Sequence, residues 1–549
     1  MGKRPDLNPE NEEWNATLQG DYLWSNVNFG EAVTDVMTPL SWSLIQFTLE
    51  DWRFLPGFPT VGLIGGRPYL NISIFATLLY GMGRSQEDLL RYMESTLYMQ
   101  LPEGMKIPAI PLPRRALLAG FRRALGVQLR QRRGIRELPS YLQENPAWFQ
   151  GMREKIQAQD SGPELRALWA DKIGAHLQAG AWCVLASATH SADYTLNLRR
   201  SLARTVGVED AQRLIANLSQ GPDDLESLGP VAGLERLARG QISRQEYLAQ
   251  YGHRGPQEFE LSVPRPAEEQ SWLDRELEQY HRSPVDVESL RARQQESFQA
   301  AWGRLESRFP RKARVFKTRI AESARRARQR ELARSAYVRD RWAARLFALR
   351  AGELSGLGSE VFFLRLEEVL ALLEGDEYHI SKIPARVQAY ERLTALPSYP
   401  AVIRGRFDPF HWAADPNRPV DIYEEGSVPT LSVETQVLKG SPGSAGRVEG
   451  VVRLIQDPQQ ADRLQPGEIL VAVQTDIAWT LLFPRAAAVI TDIGAPLSHA
   501  AIVARELGIP AVVGCGNATA LLADGDRVRV DGSQGRVEIL ARATRTGVG

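Results

Sequence analysis

The sequence predicts a multidomain protein of mixed α and α/β class, in which a large, mostly helical domain precedes a small α/β domain. Its 549 residues are too many for one ordinary hydrophobic core, so we expect two to four domains. Residues 113–356 are rich in Leu, Ala, Arg, Glu and Gln, with apolar residues three and four apart, which is typical of amphipathic helices. Towards the end of the chain, short strand-like runs alternate with one helix-like segment, which indicates a compact α/β domain.

Changes in composition along the chain predict the domain boundaries. Residues 1–20 are polar and are expected to form a loose leader, and residues 21–407 form the mostly helical domain. After residue 408, Pro, Asp, Asn and Gly are frequent and periodicity is lost, so we predict a linker over residues 408–436. Residues 437–541 are assigned to the α/β domain, and residues 542–549 to a tail.

The clearest helix of the first domain covers residues 322–350. Its apolar stripe consists of Leu332, Tyr337, Trp342, Leu346 and Leu349. Four arginines in the same helix are interpreted as a solvated face, with a phosphate-facing cluster as the alternative; they are Arg325, Arg326, Arg328 and Arg330.

The α/β domain contains one helix among several strands. Strand-like runs are predicted over residues 447–454, 468–473, 487–491, 511–513, 527–530 and 535–540. The helix covers residues 499–507, because Gly508 is a common residue just after a helix and Pro510 follows it.

Composition excludes several classes of function. Lys and Arg number 66, as do Asp and Glu, so the chain lacks the cationic excess of a general nucleic-acid binder. Cys183 and Cys515 are far apart and show no zinc or disulfide spacing, so we expect buried free thiols. No run of residues is apolar enough to span a bilayer and no signal pattern opens the chain, so we expect a cytoplasmic protein without a membrane partner.

His499 is the strongest candidate for a catalytic residue. It follows the strand-like run at 487–491 and a loop containing Gly494, and it opens the predicted helix. The N-terminus of a helix presents unpaired backbone N–H groups and partial positive charge, which favours an anion such as phosphate. A neutral imidazole there can accept a phosphoryl group, and Ser498 can cap the helix or donate to a phosphate oxygen. The alternative is a purely structural histidine.

Residues 491–514 read TDIGAPLSHAAIVARELGIPAVVG, and residues 439–446 read KGSPGSAG. Together they resemble the phosphohistidine motif and glycine-rich entry of the swivelling β/β/α domain in the phosphoenolpyruvate (PEP)-utilising enzyme family. That family includes PEP synthase, pyruvate phosphate dikinase and rifampicin phosphotransferase. The resemblance covers residues 438–540 and implies that His499 carries phosphate. Ala495 departs from the family, in which a second glycine is common.

Shorter segments resemble the substrate-binding domain of rifampicin phosphotransferase-like proteins, in which the histidine domain comes last. They are WSNVNFGE at 24–31, MTPLSWS at 37–43, RPYLN at 67–71 and YGHRGPQEFEL at 251–261. The last contains the candidate substrate-binding residues His253, Arg254 and Glu258, because Arg binds phosphate or carboxylate and Glu or His can take a proton. An ion pair of Arg254 with Glu258 or Glu260 that orders a loop is an equal alternative.

The family resemblance also implies what this chain does not carry. Only nine residues follow Leu540, whereas a PEP-binding barrel needs about 250 residues. Only some twenty residues precede the WSNVNFGE segment, so we expect no ATP-grasp domain, and we expect ATP and Mg²⁺ to be bound by a separate ATP-grasp partner rather than by this chain.

The first hypothesis is a phosphotransferase subunit that passes phosphate from His499 to a hydroxyl of a small-molecule acceptor. The second is a non-enzymatic phosphate-relay or ligand-binding protein with a vestigial histidine domain.

Overall fold

The structure of the chain is a computed structural model. It describes residues 14–15, 20–27, 33, 35–55, 57–93, 105–216, 229–282, 287–416, 418–419, 422–426, 436–494, 496 and 498–543. Most of the predicted leader and tail, residues 28–31 of the WSNVNFGE segment, and Ala495 lie outside these residues. Trp14, within the predicted loose leader, is only 3% exposed and packs against Val36 and Leu393.

A five-stranded sheet joins distant parts of the first 424 residues. Its strands are β1 (Leu23–Ser25), β2 (Val61–Ile64), β3 (Arg67–Asn71), β4 (Val402–Arg404) and β5 (Ile422–Glu424), in the order β2-β3-β1-β4-β5. Strand β1 pairs with both β3 and β4, so the two ends of the helical region meet in one sheet.

The predicted linker at 408–436 is partly folded onto this sheet, which differs from the expectation of an irregular segment. Residues Pro409–Ala414 form a helix, and β5 pairs in parallel with β4. The reason is tertiary packing, because Trp412 is 3% exposed and its ring packs against Tyr399 and Phe407. Residues 427–435 lie outside the described part of the chain.

Helices make up most of the first region, as the periodicity predicts. They are α1 (Pro39–Thr48), α2 (Ile72–Gly81), α3 (Gln86–Tyr92), α4 (Arg114–Gln157), α5 (Gly162–Leu168), α6 (Gly174–Val206), α7 (Val208–Ala216), α8 (Gly229–Ala238), α9 (Arg244–Tyr251), α10 (Trp272–Arg282), α11 (Val287–Arg308), α12 (Pro310–Ser355), α13 (Leu366–Leu372), α14 (Ile383–Thr394) and α15 (Pro409–Ala414). The long helices α4, α6 and α12 pack along one another. Helix α12 ends where Gly356 adopts a left-handed conformation, which closes a helix at little steric cost.

An eight-stranded sheet forms the C-terminal domain. Its strands are β6 (Val437–Lys439), β7 (Ser441–Ser444), β8 (Arg447–Leu454), β9 (Ile469–Ala472), β10 (Ala488–Thr491), β11 (Ala511–Val513), β12 (Arg527–Asp531) and β13 (Arg536–Ala541). The order is β6-β13-β12-β8-β9-β10-β11-β7, with β8, β9, β10 and β11 parallel. Helix α16 (His499–Leu507) connects β10 to β11, and α17 (Ala518–Leu521) follows β11. A helical region followed by a β-sheet domain confirms the coarse fold class.

The C-terminal domain and the helical region share a hydrophobic core. Val231, Leu234 and Tyr251 of the segment 229–282 are buried in one cluster with Phe483 and Ala504 of the C-terminal domain. Two glutamine side chains extend the contact, since Gln212 donates to the carbonyl oxygen of Ser533 over 3.2 Å and Gln294 to that of Arg505 over 2.9 Å. The C-terminal domain is therefore docked on the helices through apolar packing as well as hydrogen bonds.

Both cysteines are buried free thiols, as expected. None of the described helices combines the length and the apolar composition that crossing a membrane requires.

Candidate functional site

Helix α16 places His499 at its first turn. Strand β10 ends at Thr491, and Gly494 in the following loop has φ +155°, a conformation that favours glycine. Ser498 is the N-cap, and its side-chain oxygen accepts a hydrogen bond from the backbone N–H of Ala501 at 3.1 Å. Ser498 therefore fixes where the helix begins, and the next residue is His499.

The imidazole of His499 is buried among residues of the C-terminal domain. Its Nδ1 lies 3.1 Å from Thr475 Oγ1, and its Nε2 lies 3.2 Å from Thr480 Oγ1. The ring of Phe483 packs edge-on, with the ring centroids 5.8 Å apart. Burial, helped by the nearby guanidinium group of Arg334, lowers the pKa of His499 to about 3. The ring is therefore neutral at physiological pH, as a phosphoryl acceptor must be.

Opposite His499, the helical region supplies a group of paired charges. Glu258 is buried and accepts hydrogen bonds from Arg254 and, at 3.2 Å, from Arg334. Glu331 pairs with Arg330 at 2.7 Å. The arginines hold the pKa values of Glu258 and Glu331 below their ordinary value against the opposing effect of burial. Both carboxylates are therefore ionised and neutralise part of the positive charge facing His499.

The three candidate residues at 253–258 have different surroundings. His253 points into the helical region, where its Nε2 lies 2.8 Å from Ser335 Oγ, and burial lowers its pKa well below its ordinary value. Arg254 and Glu258 form the predicted ion pair, whereas Glu260 instead accepts hydrogen bonds from Thr38 and Ser41. Arg254 Nη1 has no hydrogen-bond partner among the described residues, although this atom is buried. Among these three candidate residues, Arg254 therefore retains an N–H donor that could bind a ligand.

The C-terminal geometry agrees with a comparison against protein-family models, in which residues 464–535 match the mobile domain of PEP-utilising enzymes. The chain carries a PEP-utilising enzyme mobile domain.

Curated relatives match longer parts of the chain. Prodigiosin synthesizing transferase PigC of Serratia marcescens is 33% identical over 367 residues, which cover 64% of this chain and 38% of the relative. An uncharacterized protein of Mycobacterium tuberculosis is 30% identical over 398 residues, covering 69% and 41%. Rifampicin phosphotransferase of Streptomyces sviceus is 36% identical over 185 residues, covering 33% and 19%. The chain thus spans about two fifths of the length of the first two.

A large apolar cavity extends from His499 into the helical region. Its volume is about 1020 Å³, and its walls come from α1, α2, α4 and α6. The walls include Trp52, Phe54, Phe75, Leu78, Phe121, Leu125, Val184 and Leu185. At the end nearest the mobile domain, the lining changes to Arg254, Arg330, Glu331, Arg334, Ser498 and His499. An apolar molecule in this cavity would present its end to the histidine and the arginines.

Several residues of this site were not predicted from the sequence. Thr475 and Thr480 follow β9, which lies parallel to β10, so their loop and that of His499 meet at one edge of the sheet. The predicted strands could already have indicated that the loops after β9 and β10 meet, because the ends of neighbouring parallel strands lie at one edge of a sheet. No comparable pattern indicates that Arg334 faces His499, because the arginines of its helix are interpreted as a solvated face.

The arginines of α12 differ in their surroundings. Arg325 and Arg326 pair with Glu322 on the helix surface, as expected for a solvated face. Arg330 lines the apolar cavity beside Arg334 instead.

Proposed function

We propose that this chain is a phosphotransferase that carries a phosphoryl group on His499 and delivers it to a hydroxyl group of an apolar acceptor. The observation that supports this most directly is the position of His499, a neutral imidazole at the polar end of an apolar cavity of about 1020 Å³. Carrying the group on histidine divides one difficult transfer into two easier steps.

The arginines opposite His499 provide the electrostatics of the transfer step. The transferred group bears negative charge on its oxygens, and catalysis of such a transfer consists largely of positioning and of stabilising that charge. Arg254 has a buried Nη1 with no hydrogen-bond partner in the described part of the chain, and Arg334 lines the same end of the cavity. Before the phosphoryl group arrives, Glu258 and Glu331 partly balance these cations.

The acceptor is expected to be a small molecule with a large apolar body. The walls of the cavity are mostly aliphatic and aromatic, so the free energy of binding comes from burying apolar surface. Arg254, Arg330, Glu331 and Arg334 line the cavity together with His499, where they orient a hydroxyl towards the histidine. The phosphoryl group is supplied, in this proposal, by an ATP-grasp partner that binds ATP and Mg²⁺, and the mobile domain swivels between that partner and the cavity.

Chemical phosphorylation tests the histidine without the partner. We would treat the chain with phosphoramidate, map phosphorylated peptides by mass spectrometry, and compare wild type with His499→Ala. His411 is an exposed histidine of α15 and serves as an internal control for the reagent. We expect an acid-labile, base-stable phosphoryl group at His499, and a faster loss of that group when an apolar alcohol such as naphthol is added.

A label at His411 without a label at His499 would overturn the proposal. It would favour the second hypothesis, a ligand-binding protein with a vestigial histidine domain.

A further inference from the structure

The outer side of helix α4 carries a row of exposed leucines. Leu118, Leu125 and Leu129 are 63%, 58% and 56% exposed, although the outer side of a surface helix is ordinarily polar. Since an α-helix turns by about 100° per residue, their spacing of seven and four places all three within about 40° of one another. The buried Gly120 and Val127 lie on the opposite side of the helix. The leucines therefore lie at the centre of the solvent-facing side and not at its border with the core.

The same stretch of α4 is strongly basic. Residues 114–136 contain eight arginines and neither Asp nor Glu. Arg130 pairs with Asp51 and Arg133 with Glu137, which neutralises only part of this charge. All eight arginines are exposed, and they are Arg114, Arg115, Arg122, Arg123, Arg130, Arg132, Arg133 and Arg136. We call these arginines and the three leucines the arginine–leucine face.

The arginine–leucine face adjoins the opening of the apolar cavity. Leu125 belongs to the face and also lines the cavity. Met82, which follows α2, lines the cavity as well and is 55% exposed. Side chains that line a cavity and are also exposed mark where it reaches the surface, so the cavity opens beside this face.

We propose that the arginine–leucine face docks on the surface of an anionic lipid bilayer. Helices that lie in a bilayer interface combine Arg or Lys, which meet the lipid headgroups, with apolar side chains that enter the boundary of the acyl chains. The negative charge of the leaflet attracts the arginines, and burial of the leucines adds a favourable apolar contribution. Docking of this kind requires no spanning segment, and it departs from our expectation of a protein without a membrane partner.

Other partners match only part of the arginine–leucine face. A second copy of the same face would bring like charges together, which is unfavourable. A nucleic acid would pair its phosphates with the arginines but would leave the leucine row without an apolar partner. An anionic bilayer matches both the charge and the leucines.

Docking itself does not depend on the proposed function, but its consequence for the acceptor rests on that function. With the face on lipid, the opening of the cavity lies at the bilayer. An apolar acceptor dissolved in the bilayer then enters the cavity without passing through water, where its apolar body would be poorly solvated.

Co-sedimentation of the full chain with vesicles tests the docking. We would compare vesicles of phosphatidylcholine alone with vesicles that also contain phosphatidylglycerol. We expect the chain to partition into the anionic vesicles and to be released by high salt, because salt screens the charges. A variant with Arg122→Gln, Arg132→Gln and Arg136→Gln should partition about 10²-fold more weakly, because three cations near the leaflet are lost.

Helix α12 offers a matched control for charge. Arg311, Arg314 and Lys317 are exposed on a second basic stretch of the molecule. Replacing all three with Gln removes the same charge and should leave the partitioning nearly unchanged. The positions substituted in α4 and α12 are exposed, so both variants should fold, which circular dichroism checks.

The role of the leucines is tested separately. Leu118→Gln combined with Leu129→Gln should weaken partitioning about tenfold, because less apolar surface enters the lipid. A thiol-reactive nitrobenzoxadiazole (NBD) dye on Leu118→Cys should emit more strongly and at shorter wavelength when anionic vesicles are added. The same dye on Val315→Cys, at an exposed position of α12, should not change. Both native cysteines are buried, so the introduced thiol is the one that reacts.

Three results would overturn the proposal: a chain that stays in solution with anionic vesicles, equal losses in the α4 and α12 charge variants, or an NBD spectrum at position 118 that vesicles leave unchanged. Tighter binding to random-sequence duplex DNA than to anionic vesicles would overturn it too, and would assign the face to nucleic acid. Phosphorylation of His499 by phosphoramidate requires no lipid. A failure of docking therefore leaves the proposed function intact, and a failure of phosphorylation leaves the docking intact.

Discussion

Replacing His499 with Gln isolates the titration of one buried imidazole. In the folded chain its pKa is about 3, whereas an unperturbed histidine titrates near 6.5. Between these values the unfolded chain binds a proton that the folded chain does not, so stability falls as the pH is lowered through this window. At pH 5, which is about 1.5 units below the pKa of histidine in the unfolded chain, this effect lowers the free energy of unfolding by about 2 kcal/mol. The size of the effect at this pH depends little on the folded value, as long as that value lies well below 5.

Urea unfolding at pH 7 and pH 5, followed by tryptophan fluorescence, measures the effect. Wild type should lose about 2 kcal/mol more than His499→Gln between the two pH values. Other groups with shifted pKa values, such as the buried His253 and Glu276, are present in both proteins and cancel in the comparison. Equal losses in the two proteins, within about 0.5 kcal/mol, would refute a buried neutral His499 in the docked domain.

Three further substitutions test the arginine, the loop and the cavity. Arg254→Met should slow phosphoryl transfer from His499 about 10²–10³-fold, because one charge-assisted donor is lost, as measured by loss of phosphohistidine to naphthol. Gly514→Ala should lower the melting temperature more than Gly467→Ala. Both glycines have positive φ, but only at Gly514 would the new Cβ lie 2.5 Å from a backbone oxygen. Ala188→Trp should weaken binding of the apolar dye Nile red by narrowing the cavity, whereas Leu118→Trp, at an exposed position of α4, should not.

Each of these three predictions would be contradicted by a specific result. Arg254→Met also breaks a buried ion pair and is expected to cost about 3 kcal/mol of stability. The double variant with Glu258→Gln should regain stability without regaining transfer, and a recovery of both would show that Arg254 is only structural. Equal melting temperatures of the two glycine variants would contradict the close approach at Gly514. An unchanged affinity for Nile red in Ala188→Trp would place the dye outside the cavity.

The C-terminal elements were predictable because their signals are local. Helix α16 covers residues His499–Leu507, as predicted, since Ser498 caps one end and Gly508 adopts a left-handed conformation at the other. Strand β8 also matches its predicted range, Arg447–Leu454. Caps, glycines and short apolar runs act within a few residues, so a single sequence contains them.

The predicted linker shows where local signals fail. Its composition is that of an irregular segment, yet Trp412 and Tyr423 pack against Phe407 and bring β5 onto the sheet. Those contacts depend on where β4 lies, which no local pattern contains. The same holds for Arg334, which meets Glu258 from a position 76 residues away in sequence. Periodicity assigns such a residue to a helix face but not to a partner.

The apolar cluster shared by the mobile domain and the segment 229–282 sets a condition on any movement of His499. Separating the two would divide this shared cluster, and each large apolar side chain that became exposed would cost about 1.5–3 kcal/mol. An alternative docking position of the C-terminal domain must therefore offer an apolar surface of similar extent, or the segment 229–282 must move together with the domain. If a separate partner phosphorylates His499, as proposed above, its binding surface can thus be sought by its shape and apolar character, as a competitor for the same face of the C-terminal domain.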